Sequence, residues 1–391
     1  MEKKKSKKRD MYGFEVTGGE EVWKQCQETQ KRNWDLSRRK KIEQNFVSSW
    51  AKKRKITEMN DSLVVDKGIP FANRPYLWMV WSGGLGLRSE RKPDYYQKLL
   101  AESVKHKTPS VVQIKKDIVR TFPGHDLYLT EETKENLHNV LVAFAHRNPA
   151  VGYCQSMNFI VGLLLLFLRE EDAFWVLCAI VEKLLPNFFS PDMFALKVDL
   201  RILEEIASSQ QRGVKHIATF GGDLLKENAL QWLMCLFIGY LPTETCLRIL
   251  DVFLLRGKVV LFQACLGLLK LNEKKILEAK DYVETFTVLK SLPQLAFDGD
   301  LLLKVGKEEM RLFPTARLAT FREKVAQEIG QDAKEQLFQS LVSSTSFSEK
   351  DIQALYLQFR SAAHLPTAGQ GGKRGEPLGD SGESSGGGVD G

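Results

Sequence analysis

The chain has 391 residues, of which 43% are hydrophobic and 27% are charged. These proportions are ordinary for a globular protein with one large or two medium cores, and they exclude a fibre or a wholly disordered chain. The formal net charge is +7, and one basic run near the N-terminus nearly accounts for it. That run contains Lys3, Lys4, Lys5, Lys7, Lys8 and Arg9.

Because the rest of the chain is close to neutral, the charge does not indicate a nucleic-acid-binding groove. We interpret the basic run as a solvated tail rather than as a targeting or lipid-binding signal. Residues 1–60 as a whole are rich in charged side chains and carry Trp23, Trp34 and Trp50. They are predicted to form an arm that is ordered where the tryptophans cover a surface.

The cysteines and the apolar runs favour a cytoplasmic protein. The cysteines are scattered without a CxxC pair, which is typical of reduced thiols. They are Cys26, Cys154, Cys178, Cys235, Cys246 and Cys265. The start of the chain has no apolar signal-peptide segment. The longest apolar run, residues 159–168, is well short of the roughly 20 residues that span a membrane, so we expect a buried core helix there.

Beyond a turn at Gly68 and Pro70, the periodicity is helical. Leu137, Val140 and Phe144 repeat at helical spacing behind Thr130 and two glutamates, which suits a helix N-terminus. Further helices are predicted over residues 232–240, 247–255 and 259–271. A late helix is predicted behind the capping-box pattern of residues 348–351. No two-residue alternation bounded by hairpin turns is present, so the predicted fold is all-α.

The familiar motifs of independent hydrolases are missing from the sequence. There is no GxxxxGK[ST], HExxH or GxSxG pattern and no zinc-like spacing of cysteine and histidine. The cluster of Gly83, Gly84 and Gly86 is short and has no strand before it, so we interpret it as a turn. We therefore expect no cofactor or metal site in this chain.

Arg120 is the first of two candidate functional residues. It follows Ile114 and Asp117 on a short helix that must end at Pro123 and Gly124. Asp117 lies three residues before Arg120 and can pair with it on a helix. Taken alone, this pattern favours an ordinary solvated surface ion pair, worth a few tenths of a kcal/mol, over a functional arginine aimed outward.

Gln155 is the second candidate. It lies with Ser156 and Asn158 where a loop is predicted to enter the first turn of a very apolar helix. These polar groups could simply satisfy unpaired backbone groups at the helix start. Alternatively, an amide at this point could orient a water beside a phosphate, because it both donates and accepts hydrogen bonds.

The two candidates together, with their flanks, resemble a known pair of motifs. The pattern Ile114-x-x-Asp117-x-x-Arg120 followed by Thr-Phe-Pro, and then Tyr153-x-Gln155, resembles the paired fingerprints of the TBC domain. This is the catalytic domain of Rab GTPase-activating proteins.

Other stretches extend the resemblance from about residue 68 to about residue 289. Gly68-Ile69-Pro70 followed by Arg74-x-x-x-Trp78 resembles the opening motif of the family, and the stretch around Asp251 resembles its second half. The small flanking regions resemble those of the short members of the family.

The resemblance implies an all-helical, multi-helix domain that acts on a Rab-family small GTPase in its GTP-bound form. GTP and magnesium would belong to the partner. Arg120 would be the arginine finger and Gln155 the glutamine finger, with Asp117 holding Arg120 and Tyr153 shaping the glutamine loop. Ile114, the first residue of the resembling motif, would have a supporting role.

The remaining motif residues are interpreted as support. Asn158 would support the glutamine loop, and Arg74 and Trp78 would be scaffold under the site. Family members commonly have glycine after the motif glutamine, whereas this chain has Ser156. A side chain there could crowd the approach of the GTPase or stiffen the loop.

The implied organisation is a charged N-terminal arm (1–60), the TBC domain (61–290), a helical extension packed on it (291–363) and a disordered tail (364–391). We expect no nucleic-acid partner and at most a peripheral membrane association through the GTPase. The alternative function is a non-catalytic Rab-binding scaffold of the same fold. A third interpretation is a structural helical protein whose N-terminal arm and tail recruit other partners.

Overall fold

The computed structural model describes residues 8–17, 19–34, 68–103, 108–311, 313, 315–345 and 348–362. Over these residues every regular element is a helix, and the only β-type pairing is one isolated antiparallel bridge between Arg9 and Glu15. The predicted all-α fold is therefore confirmed. The chain forms two compact units, Met1–Gln327 and Glu328–Gly391.

In the first part of the larger unit, the described residues form eight α-helices. They are α1 (Gly19–Trp34), α2 (Arg74–Trp81), α3 (Gly84–Ser89), α4 (Tyr95–Ser103), α5 (Pro109–Val119), α6 (Glu131–Arg147), α7 (Met157–Leu165) and α8 (Glu170–Ala179). Short 3-10 turns, Phe71–Asn73 and Asp126–Leu129, precede α2 and α6, and a π-helical turn, Ile180–Leu184, extends α8. The predicted start of α6 is confirmed, because the Thr130 side chain accepts a hydrogen bond from the Thr133 N–H.

The next helices complete this unit. They are α9 (Phe194–Gln210), α10 (Arg212–Thr219), α11 (Leu224–Met234), α12 (Thr243–Arg256), α13 (Val259–Leu271), α14 (Glu273–Glu278), α15 (Tyr282–Ser291) and α16 (Gly299–Arg311). A 3-10 turn, Pro293–Leu295, follows α15. Helix α17 (Thr315–Ser344) runs across the boundary of the two units.

The core of the larger unit is built on α12 and α13, which are buried along almost their whole length. Helices α13 and α16 cross at very short range. A Cβ atom on Gly306 would lie 1.9 Å from the Gln263 carbonyl oxygen, and one on Gly267 would lie 2.7 Å from that of Leu302. Glycine at both positions lets the two backbones touch.

A buried ion pair joins the start of the domain to its second half. The guanidinium of Arg74 on α2 donates to both carboxylate oxygens of Asp251 on α12, at 3.0–3.2 Å. The indole N–H of Trp78 donates to the same carboxylate at 2.8 Å. Arg74, Trp78 and Asp251 are all buried. This geometry supports the interpretation of Arg74 and Trp78 as scaffold.

Two local predictions were wrong. The helix predicted over residues 232–240 ends at Met234, because Leu236 and Phe237 adopt positive φ angles of 49° and 62° and turn the chain. The glycine cluster at residues 83–86 is not only a turn. Gly83, at φ 84°, leads directly into the short helix α3.

The second unit contains the C-terminal part of α17 and the whole of α18 (Glu349–Ala362). The predicted capping box is confirmed: the Asp351 N–H donates to Ser348 Oγ at 3.3 Å, and the Ser348 N–H donates to the Asp351 carboxylate at 3.0 Å. Within this unit the Lys334 ammonium lies over the Tyr356 ring, 5.3 Å from its centre.

The predicted arm is described only in part. Helix α1 buries Val22 and Cys26 against Phe297, and Trp23 packs against this cluster. Trp50 and the predicted tail at 364–391 lie outside the described residues. The division into arm, domain, extension and tail stays a prediction. None of the helices in the described ranges combines the length and the apolar character that crossing a bilayer requires.

Candidate functional site

The candidate site is built on the end of α5. The helix begins with Pro109 at its first position and ends at Val119, and Arg120 has left the helical conformation at φ −99°, ψ 3°. Ile114 is fully buried and fixes the inner face of α5. The Arg120 side chain is 51% exposed, so its guanidinium points to solvent from the end of the helix.

The pair between Arg120 and Asp117 differs from the solvated pair that sequence spacing alone allows. The Asp117 side chain is 1% exposed, and its Oδ1 accepts a hydrogen bond from Arg120 Nε at 2.9 Å and forms an ion pair with Nη2 at 2.9 Å. Gln113 Nε2 donates to the same oxygen at 3.2 Å. Arg120 is therefore held by a carboxylate that is itself fixed in the protein interior.

The second oxygen of this carboxylate joins the glutamine segment to α5. The Tyr153 hydroxyl donates to Asp117 Oδ2 at 2.7 Å. The Tyr153 hydroxyl oxygen also lies 3.2 Å from Asn158 Oδ1. Asn158 Nδ2 donates to Thr121 Oγ1 at 2.9 Å, and the Thr121 hydroxyl donates to the Asp117 carbonyl at 2.8 Å. These three hydrogen bonds and the contact between Tyr153 and Asn158 together form a ring that brings the two predicted segments together.

Gln155 lies just outside the ring, in a turn two residues before α7 begins. It was predicted within the first turn of that helix, and the structure places its side chain in solvent instead. The backbone below it is fixed, because the Ser156 N–H donates to Asn158 Oδ1 at 3.3 Å. The site thus presents one exposed guanidinium and one exposed amide, each on a segment tied to the same buried carboxylate.

Ser156 occupies a strained and buried position. Its φ of 106° and ψ of −28° lie in the left-handed region that favours glycine, and the residue is 3% exposed. Its hydroxyl oxygen is buried and finds no hydrogen-bond partner among the residues that the structure describes. The Ser156 side chain therefore lies on the inner side of the loop. This position favours stiffening of the loop over crowding of an approaching GTPase.

An aromatic wedge secures the segment after Arg120. Phe122 has a positive φ of 45° and turns its ring inward onto Tyr128 and Phe159, with ring centres 5.3 and 5.6 Å away. Gly162 leaves room for this ring, since a Cβ there would lie 2.7 Å from the ring edge of Phe122. The chain after Arg120 is thus fixed by packing as well as by hydrogen bonds.

The ionisation of Tyr153 and Cys154 argues against either group acting as a nucleophile at this site. Burial, and then the hydrogen bond to Asp117, raise the pKa of Tyr153 well above its usual range. Burial raises the pKa of the Cys154 thiol to about 11. Both groups therefore stay protonated at neutral pH, when a thiolate or phenolate would be needed for attack. Among the described residues no group of three or more His, Cys, Asp or Glu side chains is arranged to hold a metal ion.

One known protein family matches this region of the chain. The model of the Rab-GTPase-TBC domain matches residues 72–277, which contain all of the ring and both exposed groups. The chain belongs to the Rab-GTPase-TBC domain family. The resemblance seen in the sequence motifs is thereby confirmed.

Curated relatives and a solved structure agree with this assignment. The chain is 36% identical over 241 residues to growth hormone-regulated TBC protein 1-A of Danio rerio, covering 60% of this chain and 67% of that protein. It is 35% identical over 237 residues to growth hormone-regulated TBC protein 1 of Homo sapiens, covering 60% and 70%. It also matches the crystal structure of the Chlamydomonas flagellar RabGAP TBC domain with a TM-score of 0.66 and 28% identity, covering 76% of this chain and 99% of that one.

At the level of the TBC family, these matches support an activity on Rab GTPases. They do not assign roles to individual residues, so the roles of Arg120 and Gln155 remain predictions. Sequence reasoning missed Gln113 and the part that Thr121 plays in the ring. Gln113 lies four residues before Asp117 on the same helix, and that spacing could have identified it. Thr121 has no such signal, because its partner Asn158 is distant in the chain.

Proposed function

We propose that this TBC-domain chain is a GTPase-activating protein for a Rab-family GTPase in its GTP-bound form. Arg120 acts as an arginine finger and Gln155 as a glutamine finger, both supplied in trans. The observation that carries the proposal is the Asp117 carboxylate. It is buried and bonds Arg120 on one side and Tyr153, on the glutamine segment, on the other.

The arginine acts through charge. In phosphoryl transfer, negative charge spreads over the oxygens of the transferring group, and an arginine finger in a GTPase site is worth roughly 10³ to 10⁵ in rate. Arg120 suits this task because Asp117 engages its Nε and Nη2 while half of the side chain stays exposed. A pre-oriented guanidinium loses little conformational freedom when the partner docks.

The glutamine acts on the attacking water. An amide can accept a hydrogen bond from the water and donate one to a phosphate oxygen, which orients the water for in-line attack. Gln155 is exposed on a turn whose backbone is held by Asn158. In this mechanism Gln155 replaces the water-orienting glutamine of the GTPase itself.

The partner supplies the remaining chemistry. GTP and magnesium arrive with the GTPase, and this chain contributes only its two finger side chains and a docking surface. The expected setting is the cytoplasm, in vesicle trafficking and intracellular protein transport, with any membrane contact made through the GTPase. No nucleic acid takes part.

The proposal is tested by single-turnover GTP hydrolysis across a panel of purified Rab GTPases. Wild-type chain should accelerate one or a few of them, and Arg120→Ala should lose about 10³-fold or more of that acceleration. Arg88→Ala is the control, since Arg88 on α3 is 45% exposed and is also held by carboxylates. Binding of GTP-loaded GTPases without any acceleration would instead establish the non-catalytic scaffold.

A further inference from the structure

A short segment before α1 folds into a compact turn, which we name the strap (residues 8–16). The Val16 N–H donates to the Lys8 carbonyl and the Asp10 N–H to the Phe14 carbonyl, both at 2.8 Å. The Asp10 carboxylate closes the turn by accepting from the Tyr12 and Phe14 N–H groups at 2.9 Å each. The strap therefore has a shape of its own.

One side of the strap is anchored on the domain. The Tyr12 ring stacks on Phe71 and lies across Phe167, with ring centres 6.3 Å apart in both cases. Phe167 itself packs on Trp78 of the buried ion-pair cluster at 5.0 Å. The Tyr12 hydroxyl also donates to the Glu244 carboxylate. This side attaches the strap to the part of the domain that the Arg74 and Asp251 pair makes rigid.

The other side of the strap touches the segment that follows Arg120. The Phe14 ring meets Phe122 edge-on, with ring centres 4.9 Å apart, and meets His125 at 4.7 Å. Arg9 Nη1 forms an ion pair with Asp126 at 2.6 Å. Phe14 thus covers the outer face of the same ring that the domain core holds from inside.

His125 makes the most specific contact with the strap. Its Nε2 lies 2.8 Å from the Tyr12 carbonyl oxygen, and its Nδ1 accepts from the Leu127 N–H at 3.3 Å. Because a carbonyl can only accept and an N–H can only donate, the two bonds together require the Nε2–H tautomer. Gly13 allows this approach, since a Cβ on it would lie 2.9 Å from His125 Nε2.

We infer that the strap is a positioning element for the arginine finger, with Phe14 as its main positioning residue. Residues 121–126 begin directly after Arg120 and are held on their inner side by Thr121 and Phe122. The strap holds their outer side and connects them to the rigid domain. The segment is therefore held between two surfaces, an arrangement that we call the clamp. The clamp fixes the direction of the Arg120 side chain.

The catalytic consequence rests on the proposed function. A displacement of about 1 Å in a group that acts on the transition state can cost about 10²-fold in rate. Loss of the Phe14 ring should leave Arg120 and the docking surface in place but loosen the direction of the guanidinium. We therefore expect Phe14→Ala, in the full chain, to lower kcat about 10- to 100-fold with little change in KM.

The test compares three full-length variants with the wild-type chain on a GTPase that it accelerates. Phe14→Ala should lower kcat, and Phe14→Tyr, which keeps the ring, should restore it. Phe286→Ala is the matched control, because Phe286 on α15 is 38% exposed, and it should leave kcat unchanged. A merely structural role for Phe14 would lower the melting temperature of Phe14→Ala without lowering kcat at 20 °C, and that result would overturn the inference.

Amide hydrogen exchange of the chain alone tests the clamp without any GTPase. Phe14→Ala should speed exchange of the His125 and Thr121 amides about tenfold, while the amides of α13 stay as protected as in the wild type. Unchanged exchange at both amides would overturn the clamp. If no GTPase responds to wild-type chain, the proposed function fails and the catalytic role of the strap fails with it, whereas the exchange result still decides whether the clamp exists.

Discussion

At the scale of single residues, the burial of one carboxylate separates this site from an ordinary surface ion pair. An exposed i,i+3 pair is worth a few tenths of a kcal/mol and leaves its arginine free to move. Asp117 is 1% exposed, so it must keep its hydrogen-bond donors. The exposed Arg120 guanidinium is thus anchored to a group that cannot move independently.

We expect Asp117→Asn to lower both activity and stability. The amide keeps the volume of the carboxylate but has one acceptor oxygen and no charge, so it cannot hold both Arg120 and Tyr153. Single-turnover hydrolysis should show kcat lowered at least about tenfold, and urea unfolding should show a loss of about 1–3 kcal/mol. A wild-type kcat in this variant would limit Asp117 to a structural role.

Ser156 is the residue at which a substitution should most readily increase the stability of the fold. Its positive φ costs about 1 kcal/mol or more for a residue other than glycine, and its buried, unpartnered hydroxyl costs about 1–3 kcal/mol. Ser156→Ala should remove the second cost alone, and Ser156→Gly should remove both. We expect Ser156→Gly to raise the free energy of unfolding by about 1–2 kcal/mol in urea titrations. A destabilised glycine variant would show that the Ser156 side chain has packing value that outweighs its strain.

At the scale of elements, the outer face of α5 is the surface that surrounds the arginine finger. Val119, next to Arg120, is 78% exposed, and Val112, seven residues earlier on the same face, is 56% exposed. Two aliphatic side chains in solvent beside a finger residue suit contact with a partner protein. Because they lie on the helix that holds the finger, docking there would bring Arg120 to the nucleotide.

Val119→Asp should therefore weaken association without altering chemistry. A carboxylate buried against the GTPase must be desolvated, so KM should rise about tenfold, equivalent to about 1.4 kcal/mol, while kcat at saturation stays unchanged. The matched control is Val283→Asp on α15, where Val283 is 70% exposed. Equal effects of the two variants on KM would remove α5 from the docking surface.

The elements also show how far sequence alone reaches. Helix α13 was predicted at its observed bounds, because a long, largely apolar run, interrupted by Gln263 and Lys270, is a local signal. Residues 232–240 were misassigned beyond Met234, because the positive φ angles of Leu236 and Phe237 are imposed by packing. Neither residue is a glycine, so the sequence at these two positions does not indicate a turn. The strap was not predicted at all, since its partners Phe122 and His125 are more than a hundred residues away.

The candidate site also has features that the sequence predicts and features that it does not. The resemblance to the TBC motifs implied that Arg120, Asp117 and Gln155 belong to one site. The burial of Asp117 and its bond to Tyr153 could not be derived from spacing, because they depend on how α5 and α7 pack. The hydroxyl of Thr121 completes the ring only once that packing brings Asn158 within reach.

At the scale of the whole molecule, the buried pair of Arg74 and Asp251 holds together regions 177 residues apart in the chain. Burial alone would lower the pKa of the Arg74 guanidinium, but Asp251 and then Glu244 raise it overall. Arg74 therefore stays charged, and its charge must be matched inside the protein. Trp78 adds a third donor to the same carboxylate.

Asp251→Ala should consequently be among the most damaging substitutions. It removes the carboxylate that directly pairs with the buried guanidinium, which costs about 3–5 kcal/mol. Asp94→Ala is the control, because Asp94 is 54% exposed and pairs with Lys98, which is 59% exposed; its removal should leave the free energy of unfolding nearly unchanged. Thermal and urea unfolding measure the stability loss in both variants. A loss below 1 kcal/mol in Asp251→Ala would mean that Arg74 finds water or another partner.

The central claim is that this chain supplies both fingers, and it is tested most directly on a GTPase that lacks its own water-orienting glutamine. Single-turnover hydrolysis would be measured for a responsive Rab whose glutamine has been replaced by alanine. Wild-type chain should still accelerate it, Arg120→Ala should lose about 10³-fold or more of that acceleration, and Gln155→Ala about 10²- to 10³-fold. If the GTPase variant is not accelerated by wild-type chain, or if Gln155→Ala accelerates it fully, the two-finger mechanism is wrong.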